Sequence, residues 1–221
     1  MLASLDHVRN WIFDLDNTLY PASANLFSQV DARMTGFIQD LLGLDHDEAR
    51  RVQKGYFHNH GTTLSGLMTE HHVDPHAFLA HVHDIEMDVI EHDAPLVAAI
   101  AKLPGRKLVF TNGDTPYATR ILDRLGLSES FEAIHDIHAM NLMPKPHASA
   151  YAGFCAAFDI DPAQSLFADD MARNLTPAKA IGMTTVWIDN GSEQSPDAAR
   201  DHIDFTVPVL APWLETILET S

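Results

Sequence analysis

Residues 10–21 read NWIFDLDNTLYP, an apolar run that ends abruptly in two aspartates, Asp14 and Asp16. Trp11, Ile12 and Phe13 have the aromatic and β-branched character of a buried strand. Carboxylates at the end of such a strand are costly to bury unless something positive meets them. The two aspartates are two residues apart, so on a regular strand they would share one face. At about 4 Å and an effective dielectric of about 20, such charges repel by about 4 kcal/mol. No Lys or Arg lies between Arg9 and Arg33 to offset them. Relief is expected from elsewhere in the chain or from a bound cation.

Outward from this stretch, short apolar segments recur toward the C-terminus: Lys107–Asp114 (KLVFTNGD), Phe131–Ile137 (FEAIHDI), Ser165–Asp170 (SLFADD) and Thr184–Asn190 (TTVWIDN). Helical patterns lie between them, Tyr117–Leu125 stopping at Gly126 and Ala172–Ile181 stopping at Gly182. HIDFTVPVL adds a last strand and APWLETILE a C-terminal helix. Alternating strands and helices with buried strands predict an α/β fold, a parallel sheet covered on both faces. Residues 21–91 contain no strand pattern. Phe27, Val30, Met34, Ile38 and Leu41 recur at helical spacing, and Asp45–Glu48, Thr62 and Asp74-Pro75 read as helix starts. The chain thus divides into a core, 1–20 and 92–221, and a helical insertion of about four short helices, 21–91.

The 221 residues are 46% hydrophobic with a net charge of −17, which supports a real core and argues against polymeric nucleic acid or an anionic membrane as partners. Cys155 is the one cysteine and sits in a small apolar run, so it reads as a core thiol and no intramolecular disulfide exists. The N-terminal MLASLDHVRN has no apolar leader and no run is long enough to span a bilayer; a cytoplasmic protein, monomeric or homodimeric, is expected.

In an open parallel sheet the carboxyl ends of the strands form the ligand crevice. Asp14 and Asp16, Thr111-Asn112-Gly113, Lys145 and Asp169-Asp170 all fall there. Together they suit phosphoryl transfer from an ester to a carboxylate and then to water. Asp14 suits the ionised nucleophile and Asp16, two residues on, the proton donor to the leaving alkoxide. The Thr111 hydroxyl and the backbone N–H groups of Asn112 and Gly113 suit the phosphoryl oxygens. Asp14, Asp169 and Asp170 form a hard oxygen site suited to Mg²⁺. Lys145, alone between Arg124 and Arg173 and flanked by prolines, is placed to answer the aspartates. Asp169-Asp170 can equally cap a helix opening near Met171.

DLDNT (14–18), FTN (110–112), PKP (144–146) and FADD (167–170) resemble, in order, the four motifs of the haloacid dehalogenase superfamily. The resemblance implies a Rossmann-like three-layer core with an inserted C1-type helical cap. It makes Asp14 the phosphorylated nucleophile and Asp16 the general acid/base, whose backbone carbonyl also meets Mg²⁺. Thr111 and Lys145 would steady the phosphoryl group; Asp169 would ligate the metal, with Asp170 in support. FDLDNTLYP, NLF and GTTLSGLM further resemble the pyrimidine 5′-nucleotidase branch, implying nucleoside monophosphates such as UMP and CMP as substrates. Ser65 departs from that branch, which bears on substrate range. Asn174 fits it, as an amide behind a metal ligand.

Tyr20, Asn25 and Phe27, where the chain enters the insertion, are candidates to touch a base, with core packing an equal alternative for Phe27; one of His58, Asn59 or His60, just before GTT, is a candidate to face the substrate. The paired histidines, His58-x-His60, His71-His72 and His81-x-His83, lack metal-ligand spacing on a helix and read as solvated surface. A sugar-phosphate phosphatase or phosphomutase keeps the same core with another ligand. Dehalogenation needs no metal and leaves Asp16, Asp169 and Asp170 without a task. A phospho-accepting signalling module would be shorter, without the insertion and with its acceptor on a middle strand.

Overall fold

The computed structural model describes residues 5–192, 194 and 200–219. Residues 1–4, part of the stretch read above for a leader, lie outside the described residues. One parallel sheet is built from β1 (Asn10–Phe13), β2 (Arg106–Phe110), β3 (Ala133–His135), β4 (Ser165–Asp169), β5 (Thr184–Ile188) and β6 (Phe205–Val207). Its order is β3-β2-β1-β4-β5-β6, so the opening strand is central and all four of its residues are buried. The strands stop short of the stretches that announced them, because the polar residues at their carboxyl ends turn into loops.

Register does much of the positioning. Phe13 pairs with Val109 on one side and Ala168 on the other, and the Asp14 N–H donates to the Ala168 carbonyl at 2.9 Å. The next residues on the flanking strands are Phe110 and Asp169, so the ladder itself sets Asp14 beside Asp169. Ile12, Phe13, Leu108, Val109, Leu166 and Phe167 are buried in the sheet's core, each contributing about 1.5–3 kcal/mol through burial.

Helices α5 (Ala94–Lys102), α6 (Thr115–Leu125), α7 (Ala148–Phe158), α8 (Ala172–Ala180) and α9 (Leu210–Glu219) cover the sheet as the outer layers of the Rossmann-like fold. α5 packs on α9, and α8 packs on α7, β4 and β5. In β4–α8 the chain leaves a buried strand directly into a helix, so both Asp169 and Asp170 sit at the turn.

Between β1 and α5 the described chain is helical: α1 (Leu26–Leu42), α2 (His46–His60), α3 (Thr63–His71) and α4 (Pro75–Val82). α1 runs 17 residues, longer than the short helices expected, because its apolar stripe (Leu26, Val30, Ile38) stays buried throughout. The starts are capped as their residues require: Asp45 accepts from the Glu48 N–H at 2.9 Å, Thr62 from Ser65 at 3.1 Å and Asp74 from His76 at 3.1 Å. Such caps contribute about 0.5–2 kcal/mol each. α2 packs on α1 and α3, and α4 on α1. Gly66 lets α2 and α3 meet, since a Cβ there would collide with the Tyr56 side chain. No helix among the described residues is long and apolar enough to cross a membrane.

Candidate active site

Asp14, Asp169 and Asp170 each place a carboxylate oxygen within 4.8 Å of the others, and all three residues are buried. Lys145, whose side chain is 1% exposed, enters this group. Its Nζ donates to Asp14 Oδ1 at 2.7 Å, Asp169 Oδ2 at 2.8 Å and the Phe110 carbonyl at 2.7 Å. Three donors of an ammonium meet three acceptors, and the Nζ itself lies over the rings of Phe110 and Phe167, 5.2 and 5.1 Å from their centroids. Asp169 is held further by the Asn174 amide at 3.0 Å from both oxygens and by the Met171 N–H at 2.8 Å. The Thr18 hydroxyl accepts from the Asp170 N–H at 3.0 Å and reaches Asp14 Oδ2 at 3.5 Å, tying both ends of the group to the loop after β1.

The electrostatics follow from burial. Burial raises the Asp14 carboxyl well above the usual range; Lys145 opposes this, while Asp169, Asp170 and Asp16 add to it. Burial and the Asp169 charge push Asp170 up to about 7, against a hydrogen bond from Ser192. For Lys145 burial pulls downward, but Asp14 and Asp169 outweigh it and the ammonium is held above its ordinary value. Were all three carboxylates to ionise, the single ammonium would leave about two negative charges uncompensated among buried side chains. Asn174 Oδ1 is also buried and has no hydrogen-bond partner among the described residues. A divalent cation with a preference for oxygen fits this donor set.

Asp16 stands outside that triad. β1 ends at Phe13, and the chain turns through Asn17 at φ 57°, so the alternation that would have kept Asp14 and Asp16 on one face has ended. Its Oδ1 accepts from the hydroxyls of Tyr20 at 2.6 Å and Tyr117 at 2.7 Å. Burial raises the Asp16 carboxyl, and the two hydroxyls work against that. Tyr20 is buried beneath Asp16 and does not reach the cavity described below, whereas Asn25 and Phe27 line it. The Tyr20 ring is drawn in by its hydrogen bond and by the apolar neighbours that bury it.

Thr111 is buried at the end of β2 and its hydroxyl accepts from the Gly113 N–H at 3.0 Å, so that N–H is already engaged. The Asn112 side chain turns to Lys145, donating to its carbonyl at 3.1 Å and accepting from its N–H at 2.9 Å. Asn112 and Gly113 both border the cavity.

That cavity, of about 400 Å³, runs from Asp14, Asp16, Lys145 and Asp170 to the helices after β1. α2 presents Arg50, Gln53, Lys54 and Phe57 to it, the i, i+3, i+4, i+7 face of one helix. His58 and Asn59 fall off that face and are exposed, and His60 is also absent from the wall. Asp31 gathers the polar members, accepting from Arg50 at 2.7 Å, Gln53 at 2.7 Å and Lys54 at 3.2 Å. Arg173, from α8, crosses the cavity to stack on Phe57 at 4.1 Å and to donate to the Gly61 carbonyl at 2.9 Å. His83, read above as solvated surface, has a side chain only 11% exposed, lines the cavity, and pairs with Asp114 at 3.0 Å. These contacts join residues far apart in the chain, and only the helical phase of 50, 53, 54 and 57 was there to be read beforehand.

The chain matches the model of the haloacid dehalogenase-like hydrolases over residues 8–182, and it belongs to that family. Among curated proteins it is similar to Phosphate metabolism protein 8 of Saccharomyces cerevisiae, 25% identical over 190 residues. That match covers 78% of this chain and 59% of the yeast protein, so the chain spans less than two thirds of that relative's length. Among solved structures it resembles a HAD phosphatase from Thermococcus onnurineus, with a TM-score of 0.64, 18% identity and coverage of 96% of this chain and 98% of that one. It also resembles the L-2-haloacid dehalogenase of Xanthobacter autotrophicus, with a TM-score of 0.59, 17% identity and coverage of 97% and 100%. At these identities the structural likeness shows the fold.

Proposed function

We propose that this hydrolase is a Mg²⁺-dependent phosphomonoesterase acting on pyrimidine nucleoside monophosphates of the UMP or CMP type. The observation that carries the reading is Lys145 Nζ held between Asp14 and Asp169, with Asp170 beside them, at one end of a cavity. Asp14 is the nucleophile that becomes transiently phosphorylated. Lys145 neutralises the nucleophile's surroundings and steadies the phosphoryl oxygens, with Thr111 behind it. Asp16 gives a proton to the leaving oxygen and takes one from the water that releases phosphate. Asp14, Asp169 and Asp170, with the Asp16 backbone carbonyl, would hold the metal, and Asn174 orients Asp169. When bound, the cation offsets the negative charge shared by carboxylates and phosphate.

Residues 21–91 act as a cap over this centre, and the cavity between cap and core excludes water around the ester. Its size lies within the usual range for small-molecule sites, about 300–1,000 Å³. Phe27, Phe57, Phe78, Met34 and Leu79 offer apolar area for a base, while Asn25, Gln53 and Lys54 offer hydrogen bonds to its edge. The same polar wall suits a hydroxyl-rich sugar phosphate, which is the competing substrate class. Phosphate release with Mg²⁺ from UMP, CMP, AMP and hexose phosphates decides between them. The account expects UMP and CMP to lead; a clear preference for sugar phosphates removes the nucleotide assignment.

A further inference from the structure

Asp16 is gripped in a way that the family's chemistry alone does not explain. Tyr20, from the loop after β1, and Tyr117, from the first turn of α6, donate to the same oxygen, Oδ1, at 2.6 and 2.7 Å. Among the described residues no hydrogen bond reaches Oδ2. Tyr117 is itself fixed from outside. The His83 ring stacks on it with centroids 4.0 Å apart and planes within 8°. His83 Nδ1 lies 3.0 Å from Asp114 Oδ1, and Asp114 Oδ1 also accepts from the Tyr117 N–H at 3.1 Å. Arg120 donates to the carbonyls of His83 at 2.8 Å and Ile85 at 2.7 Å, so the segment leaving α4 is fastened to α6 beside the tyrosine.

We propose that Tyr20 and Tyr117 are positioning residues that aim Asp16 at the leaving oxygen of the substrate, with His83 setting the Tyr117 ring. The inference rests on the reading of Asp16 as proton donor given above. A free carboxyl rotates about Cβ–Cγ and presents either oxygen. Two hydroxyls on Oδ1 remove that freedom and leave Oδ2 to carry the transferable proton. In the first step the bond from phosphorus to the leaving oxygen breaks, its electron pair goes to that oxygen, and the proton on Oδ2 follows. Asp14 forms the new bond to phosphorus. In the second step a water oxygen bonds to phosphorus, its proton goes to Asp16, and the Asp14–phosphorus bond breaks with its electrons returning to the carboxylate. The tyrosines keep their protons throughout.

A group that aims a proton donor matters most where the leaving group needs a proton. Tyr117→Phe and Tyr20→Phe are compared with the unaltered enzyme on phenyl phosphate, a poor leaving group, and 2,4-dinitrophenyl phosphate, which departs without protonation, both with Mg²⁺. For each variant kcat/KM on phenyl phosphate, which reports the first step alone and not the hydrolysis step that both esters share, is expected to fall about tenfold or more relative to kcat/KM on the dinitrophenyl ester. Both rates come from one preparation, so a loss of folded enzyme lowers them together and cannot shift their ratio. His83→Asn should shift the ratio the same way, by less. An unchanged ratio of kcat/KM values in both tyrosine variants overturns the proposal. Asp16→Asn separates the two levels. If it shifts the ratio while the tyrosine variants do not, only the positioning role falls; if it leaves the ratio alone, Asp16 is not the donor and the reading beneath falls too.

Discussion

The Asn112 side chain clasps the Lys145 backbone from both sides, its amide donating to the carbonyl at 3.1 Å and its oxygen accepting the N–H at 2.9 Å. The lysine that balances two buried carboxylates is thus aimed by a residue on the loop after β2. Asn112→Ala removes both bonds and leaves buried polar groups of Lys145 unpaired, at a cost of about 1–3 kcal/mol. The expected outcome is a lower denaturation midpoint together with a kcat reduced about tenfold or more, since Lys145 drifts from its acceptors. A variant with the original midpoint and kcat would show that Lys145 keeps its place without the clasp.

Removing the ammonium itself is harsher. Lys145→Met keeps the length of the stem but strands Asp14 and Asp169, whose side chains are 9% and 0% exposed, without their shared cation. Breaking a buried pair on one side costs about 3–5 kcal/mol. Activity should be lost and urea unfolding should occur at clearly lower concentration, with Mg²⁺ recovering part of the stability and none of the activity. Stability equal to that of the unaltered protein would contradict the charge balance described here.

Metal binding should depend on pH in a definite direction. The folded Asp170 carboxyl is pushed up to about 7 from an ordinary value near 3.8. A raised acid contributes stability that is present below its unfolded value and is lost as pH rises through its folded one. Without metal, the protein should therefore lose stability between about pH 4 and pH 7 from this group. Mg²⁺ requires the carboxylates ionised, so its stabilising shift in melting temperature should grow across the same window. A shift that is flat or falls with pH would contradict a metal held by these aspartates.

Asp136 provides the opposite sign away from the site. Burial alone would raise its carboxyl, but bonds from the Thr115 hydroxyl at 2.6 Å, the Thr115 N–H at 2.9 Å and the Ala139 N–H at 2.9 Å hold it below the usual range. Its stabilisation is complete above the unfolded value and is lost as pH falls through the folded one. Asp136→Asn should flatten the acid side of the stability curve while leaving the slope between pH 5 and 7 alone, as read by urea melts at a series of pH values. An unchanged acid limb would show that these bonds do not favour the ionised form.

The legible part of this molecule was the part written locally. Buried strands announce themselves by short apolar runs; Asp14 follows β1 directly and Asp169 closes β4, where parallel register must bring strand ends together, while Lys145 arrives on the longer loop between β3 and α7. The helix starts at Asp45, Thr62 and Asp74 were equally plain, since a cap is decided within three residues. What escaped was set by long-range packing. Tyr117 meets Asp16 across 101 positions, and nothing near Asp16 indicates that its carboxylate turns away from Asp14. Tyr20 looked like a wall residue because it borders the insertion, yet its hydroxyl is spent on Asp16. His83 looked solvated because spacing on its own helix was considered, whereas its partners Asp114 and Tyr117 belong to another. The Arg50–Phe57 face of α2 was present in the periodicity, beside the more conspicuous histidines.

The account stands or falls on Asp14 as the group that accepts the phosphoryl unit. Asp14→Asn preserves size and removes the ionised oxygen. Phosphate release from UMP in the presence of Mg²⁺ should fall by about a thousandfold or more, with the fold intact by its melting curve. Release within about tenfold of the unaltered enzyme would mean that another group attacks the phosphorus, and the arrangement around Lys145 would need a different explanation.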